Sequence, residues 1–234
     1  MGQFEKKLQE LGITLSAEQY ARFDRYYEIL VDWNEFMNLT GITEYEEVNE
    51  KHYIDSLAVV KAATMKGKII DIGTGAGFPG IPLKIAFPEL EVVLLDSLNK
   101  RVKFLNFVIE ELGLSGITAI HGRAEDYAKQ DEYRECFDYC VSRAVANLAT
   151  LSEYCIPYVK VGGSFIPYKS GDIEEELEQS KKAVNVLGGE LEKVVKFELP
   201  GTDISRSFVK IRKNNKTAKK YPRKAGLPSK EPIL

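Results

Sequence analysis

The 234-residue chain is poor in the residues that staple or metallate small proteins, with three cysteines and two histidines. Cys136, Cys140 and Cys155 form an odd set without metal-ligand spacing, which predicts free thiols in a reducing cytoplasm and no disulfide framework. His52 and His121 have no neighbouring serine or cysteine to activate, and no residue cluster suggests a metal. No apolar run approaches the roughly 18 residues of a membrane helix. The opening MGQFEKKLQE lacks the apolar core of a secretory leader, and Lys6 stands where a myristoylation signal needs Ser or Thr. Internal repeats and low-complexity segments are absent as well. What is present is an ordinary soluble composition, 44% hydrophobic and 29% charged, long enough for one large domain or a domain with an appendage.

Charge is unevenly placed. From Arg212 onward the chain carries eight cations against one acid, leaving 24 basic and 34 acidic residues before it, near −10. An acidic body with a basic tail fits either a solvated terminus or a grip on a polyanion.

The first part of the chain reads as helical. Ser16 and Gln19 are spaced as a capping box, and Tyr20, Phe23, Tyr27, Leu30, Val31 and Met37 follow at helical spacing. NLTGIT (Asn38 to Thr43) interrupts the pattern, and Thr43 with Glu46 predicts a second capped helix through about Leu57. Strand-like runs then fall at Lys68–Ile72, Glu91–Leu95, Ile117–Ile120, Phe137–Val141 and Gly163–Tyr168, with helical stretches between them. That alternation predicts a parallel sheet covered on both faces. After a charged helix near Ile173–Leu187, strands near Leu191–Leu199 and Ser207–Arg212 are separated only by PGTDISR, too short for a crossover helix. They should therefore pair as an antiparallel hairpin.

KIIDIGTGAGFPG (Lys68 to Gly80) turns from strand to glycine at Gly73, Gly75 and Gly77. A dinucleotide fingerprint would need its third glycine where Phe78 stands. The G-x-G-x-G spacing matches instead the loop common to S-adenosyl-L-methionine-dependent methyltransferases. Asp71 fits that cofactor, because a carboxylate would repel phosphates and favours a sulfonium and an ammonium, directly, through water or by shaping the loop. Asp96, at the end of LLD, is placed to accept from a ribose hydroxyl pair or to cap the following helix. In GRAEDY, Ala124 and Glu125 are candidates to border the adenine, although a lone glutamate is commonly a surface acid. In SRAVANL, Arg143 is either an ion-pair partner or a group reaching cofactor or substrate.

Taken in order, LVDWNEFMNLTGIT, KHYIDSL, DIGTGAGFPGIPLKI, LLDSLNKR, GRAEDY, SRAVANL and KKYPRKAGLPSK resemble the glucose-inhibited division protein B family over nearly the whole chain. The resemblance implies a Rossmann-like class I methyltransferase fold of the α/β class. Its seven-stranded, mostly parallel sheet would end in a C-terminal antiparallel hairpin and carry an N-terminal helical extension. It implies methylation of N7 of a guanine in 16S ribosomal RNA, with naked RNA or the small ribosomal subunit as partner. Cofactor contacts would fall on Gly73, Gly75, Gly77, Phe78, Asp96, Ala124, Glu125 and Arg143. Arg143, Lys219, Lys220, Arg223 and Lys224 are RNA candidates, the last four because KKYPRK interleaves cations with Tyr221. The resemblance names no catalytic residue. The expected plan is an extension at 1–64, a cofactor-binding domain at 65–213 and a basic tail at 214–234, in a cytoplasmic, metal-free monomer.

Two other chemistries are disfavoured. SRA occupies the place where exocyclic-amine methyltransferases carry Asn/Asp-Pro-Pro-aromatic. Cys140 lies inside a strand, where packing is the simpler role than that of a pyrimidine-attacking nucleophile. His52 could face the crevice or serve as a structural hydrogen-bonding group. An NAD-dependent oxidoreductase, a non-catalytic RNA module that senses the cofactor and a small-molecule methyltransferase stand as rivals.

Overall fold

A computed structural model describes residues 2–234. Helix α1 (Gln3–Glu10) precedes α2 (Ala17–Met37), which starts at the expected capping box: Gln19 N–H donates to Ser16 Oγ, and Ser16 N–H to Gln19 Oε1. The same glutamine amide donates to the carbonyl of Ile85 at 2.7 Å, tying the start of α2 to the helix Gly80–Ala86.

The second predicted helix differs from expectation. Its N-cap is Glu44, without a side-chain cap, and the Thr43 carbonyl accepts instead from the Tyr27 hydroxyl at 3.0 Å. The run continues to Lys61 through a π-helical stretch, Asn49–Ile54, that carries His52 and is followed at once by Asp55. A π turn inside an α-helix re-aims side chains and recurs at functional sites.

Seven strands form one sheet: β1 (Lys68–Ile72), β2 (Glu91–Asp96), β3 (Ile117–His121), β4 (Phe137–Arg143), β5 (Val159–Ser170), β6 (Gly189–Glu198) and β7 (Ser205–Lys213). Their order is β3-β2-β1-β4-β5-β7-β6; β1 to β5 run parallel, and β7 lies antiparallel between β5 and β6. The terminal hairpin is thus as the sequence predicts. The strand order reverses between β1 and β4, and in open α/β sheets the crevice at such a switch point takes the ligand.

Period-2 alternation divides the core cleanly. Ile69, Val92, Leu94, Val141, Ile166 and Phe208 face a cluster completed by α1, α2 and the helix Asn99–Glu111. Ile70, Val93, Leu95, Cys140, Phe165 and Val209 face the other side, under the helices Leu148–Cys155 and Glu174–Val186. The N-terminal helices therefore share a core with the sheet. Cys140 is fully buried and its thiol is pushed up by burial, the state of a packing residue and not of a nucleophile.

The basic segment after β7 is pinned along its length. Arg134 donates to the carbonyls of Thr217 and Tyr221, Thr150 Oγ1 to that of Pro228, and Arg223 grips Glu153. It is a strap laid on the body, with Lys219, Lys220 and Lys224 exposed along it.

Candidate functional site

The site begins where β1 ends. Gly73, Gly75 and Gly77 all take positive φ, at 69°, 62° and 96°, a region that costs other residues about 1–2 kcal/mol. Their surroundings differ. A Cβ on Gly73 would lie 2.6 Å from Val145 Cγ2, and one on Gly77 would lie 2.7 Å from the Tyr26 hydroxyl, whereas one on Gly75 would meet nothing within 4 Å. Gly73 and Gly77 are small so that the protein can pack; the space before Gly75 is open.

Beneath this loop, Asp71 is fully buried. One carboxylate oxygen accepts from Thr74 Oγ1 at 2.7 Å and from Gly80 N–H at 2.9 Å, while Oδ1 has no partner. Burial raises its pKa to about 6 against the lowering effect of those two donors. Of the roles open to it in the sequence, shaping the loop is the one this geometry supports.

Asp96 is 2% exposed and bonds in two directions. Its Oδ2 accepts from Gly75 N–H at 2.9 Å and its Oδ1 from Leu98 N–H at 2.8 Å, with Arg101 at 3.4 Å. The N-cap of the following helix is Leu98, so Asp96 is not its cap; it fixes the turn before that helix and tethers the glycine loop to it.

Two cavities are lined by consecutive residues after β4, one by Val145 and the other by Ala144. The smaller, about 360 Å³, is walled by Gly73, Leu95, Ser97, Ala124, Glu125 and Gly226. Thus three cofactor candidates from two separate motifs, the glycine loop and GRAEDY, meet around one space.

The larger cavity, about 570 Å³, opens at the ends of β4 and β5 and holds Arg143. Here Asp55, nearly buried, accepts from Arg143 Nη1 at 2.7 Å and from Arg206 Nε at 2.8 Å. Arg143 also donates to the Lys51 carbonyl and lies 3.3 Å from His52 Nδ1. Since a guanidinium can only donate, Nδ1 is the acceptor, and Nε2 carries the proton toward Thr40 Oγ1 at 2.9 Å. Burial, reinforced by the Arg143 charge, lowers the His52 pKa to about 4, so the ring is neutral near pH 7. Lys51, Arg143, Lys169 and Arg206 against Asp55 and Glu176 leave the lining with a net charge of +2, suited to an anionic ligand.

Phe78, where a dinucleotide loop would have its third glycine, packs against two residues that line the larger cavity. It is 6% exposed and stacks on His52, and the Arg143 guanidinium lies 5.2 Å from its ring centre. His121 sits apart, against the Ser97 carbonyl.

The strap candidates separate. Lys219, Lys220 and Lys224 project outward, whereas the Arg223 guanidinium lies on the buried Glu153 carboxylate at 2.8–3.1 Å. Sequence reading missed Lys51, Asp55, Lys169 and Arg206. Asp55 had a signal, lying three residues after His52 in a helical pattern and so on the same face. Arg206 had none, because it reaches the site only through the pairing of β7 with β5. Among the described residues no metal-binding cluster occurs, and no helix is long and apolar enough to cross a membrane.

Comparison with known proteins places this geometry. The model of the GidB family, rRNA small subunit methyltransferase G, matches residues 19–219. The ribosomal RNA small subunit methyltransferase G of Lachnoclostridium phytofermentans is 54% identical over 99% of this chain and 96% of its own length. That of Lactococcus lactis is 49% identical over 99% and 98%. Among solved structures, TYW2 of P. horikoshii in complex with MeSAdo superposes with a TM-score of 0.53 at 15% identity, covering 73% of this chain and 64% of that one, a likeness of fold.

Proposed function

The chain belongs to the rRNA small subunit methyltransferase G family, and from that premise we propose that it moves a methyl group from S-adenosyl-L-methionine to N7 of a guanine in 16S ribosomal RNA. The observation that carries this reading is a pair of cavities lined by consecutive residues, Val145 in the one bounded by the glycine loop and Ala144 in the cationic one. The open space before Gly75 is what a backbone needs where a ligand approaches it closely. Gly73, Gly75, Ala124 and Glu125 would hold the cofactor, with Gly77 and Asp96 fixing the loop that meets it. Bound there, it supplies an electrophilic methyl on a sulfonium.

Guanine N7 has a lone pair and no proton, so its attack requires no base. The protein's own groups agree with that economy. The neutral His52 has Nδ1 occupied by Arg143 and Nε2 turned to Thr40, leaving it no free nitrogen to take a proton. The task left to the chain is alignment, which can lower a barrier by several kcal/mol. Arg143, held by Asp55 and resting over Phe78, is the group placed to orient the target base beside the cofactor side of the site. Lys51, Lys169 and Arg206 would meet phosphates.

The test offers the cofactor with a labelled methyl to small ribosomal subunits from cells lacking this protein, then maps the label. Label on N7 of one guanine is expected. Label on an exocyclic amine or a ribose, or none at all despite measurable cofactor binding, would overturn the reading.

A further inference from the structure

The strap after β7 does more than carry cations. Gly226 lines the smaller cavity, and its N–H donates to Glu125 Oε1 at 2.8 Å. Glu125 is itself 6% exposed, and among the described residues no donor reaches its Oε2. One oxygen is thus held by the strap while the other is left to accept at the cavity wall.

Gly226 is held in turn from both sides. On one side the Arg223 fork lies on Glu153, which is 1% exposed, and the same carboxylate accepts from Arg223 N–H at 2.7 Å. On the other side Thr150 Oγ1 donates to the Pro228 carbonyl at 3.1 Å. Glu153 and Thr150 both belong to the helix Leu148–Cys155 and are buried. A planar guanidinium on a fixed carboxylate defines direction as well as distance. Gly226 has φ 81° with open space beside it, so the chain turns there without crowding the cavity.

We propose that the strap is a working wall of the cofactor site, with Arg223 as a positioning residue. By locking the strap to Glu153, it sets Gly226, which orients the Glu125 carboxylate toward the adenosine part of the ligand. This rests on the reading of the smaller cavity as the S-adenosyl-L-methionine site. A segment that composition marks as an RNA-binding tail thereby takes part in cofactor recognition.

The test uses the full-length protein and S-adenosylhomocysteine. Arg223→Met strands the buried Glu153, so it is paired with the variant Arg223→Met/Glu153→Gln, in which position 153 is neutral and can still accept from the backbone. Calorimetry should show both variants binding about tenfold more weakly than wild type, the loss expected when a hydrogen bond to a charged group is misaligned. In a Glu125→Gln background the same changes should cost little further affinity, because the group they position has already been altered. In wild type, the ligand should slow hydrogen exchange across residues 221–231. Unchanged affinity in the double variant, equal losses in both backgrounds or exchange indifferent to ligand would each overturn the inference while leaving the cavity assignment intact. Failure of wild type to bind would remove the cavity assignment itself.

Discussion

The ring of His52 lies almost flat on that of Phe78, with centroids 4.4 Å apart and planes 19° from parallel. His52 comes from the helical run before the sheet and Phe78 from the glycine loop, so the loop that meets one cavity is braced by a group lining the other. Tyr26 of α2 braces the same loop by donating to the Ala76 carbonyl and packing on Phe78. The N-terminal helices thus serve as scaffolding for the site.

The neutrality of His52 has a pH signature. Its pKa is about 4 in the fold against 6.5 ordinarily, so between those values the unfolded chain binds more protons. Stability from this group therefore rises with pH from about 4 to 6.5 and is lost as pH falls. Asp71, raised to about 6, acts in the opposite sense over about 4 to 6, which makes a difference measurement necessary. Denaturant titrations of wild type and His52→Gln should show the gap between them widening with pH up to about 6.5 and then levelling. A gap that shrinks over that interval would mean that the folded ring is protonated.

Methyl transfer in single turnovers should be nearly flat from pH 6.5 to 8, because no group has to lose a proton. His52→Gln should slow it less than the roughly 10²–10⁴-fold typical of a lost general base. A log-linear rise with pH that the variant abolishes would establish base catalysis.

The three loop glycines should fail in different ways. Gly77→Ala puts a methyl against Ile81 and the Tyr26 hydroxyl, and should destabilise the fold by about 1–3 kcal/mol. Gly75→Val meets open space, so beyond the backbone cost of about 1–2 kcal/mol its effect should fall on cofactor affinity. Paired melting curves and S-adenosylhomocysteine titrations check the contrast; equal affinity in Gly75→Val and wild type would place the ligand elsewhere.

Asp55→Asn should separate rate from grip. Removing the charge shared by Arg143 and Arg206 raises the positive potential of the larger cavity, so RNA affinity should hold or rise at low salt. Arg143 meanwhile loses the anchor that orients it, and transfer should slow by about 10- to 100-fold. A parallel fall in affinity and rate would argue against this division of labour.

The strap's exposed cations call for substitution and not deletion. Truncating the segment would also remove Gly226 from the smaller cavity, so cofactor affinity would change with it. Lys219→Ala/Lys220→Ala/Lys224→Ala should weaken RNA binding and flatten the logarithmic salt dependence by about 0.7 for each phosphate of single-stranded RNA that is no longer neutralised. A slope equal to wild type would show that these lysines face solvent only.

The sheet was readable because alternation and glycine signals agree at each strand, and because PGTDISR is too short to hide a crossover. Gly73, Ala124 and Glu125 were readable for a related reason: each follows a strand, and parallel strands bring such positions to one edge. The start of the second helix was not, since Thr43 and Glu46 imitate a cap while the helix begins at Tyr45 after an uncapped Glu44. Nor was the partner of Arg223. Charge counting sees a cation in a basic run, but only the folded chain brings it to Glu153, which lies inside an apolar-looking helix.

That pair constrains how the gene can drift. Glu153 and Arg223 are 70 positions apart, yet replacing Arg223 alone strands the buried Glu153 carboxylate without a counter-charge, a loss of about 3–5 kcal/mol and a large share of a typical domain's stability. Descendants of this sequence should keep both residues or exchange both, passing through a compensating neighbour such as glutamine on the way. A change in the strap is therefore inherited together with a change in the helix beneath it, and the two ends of this ion pair evolve as one character.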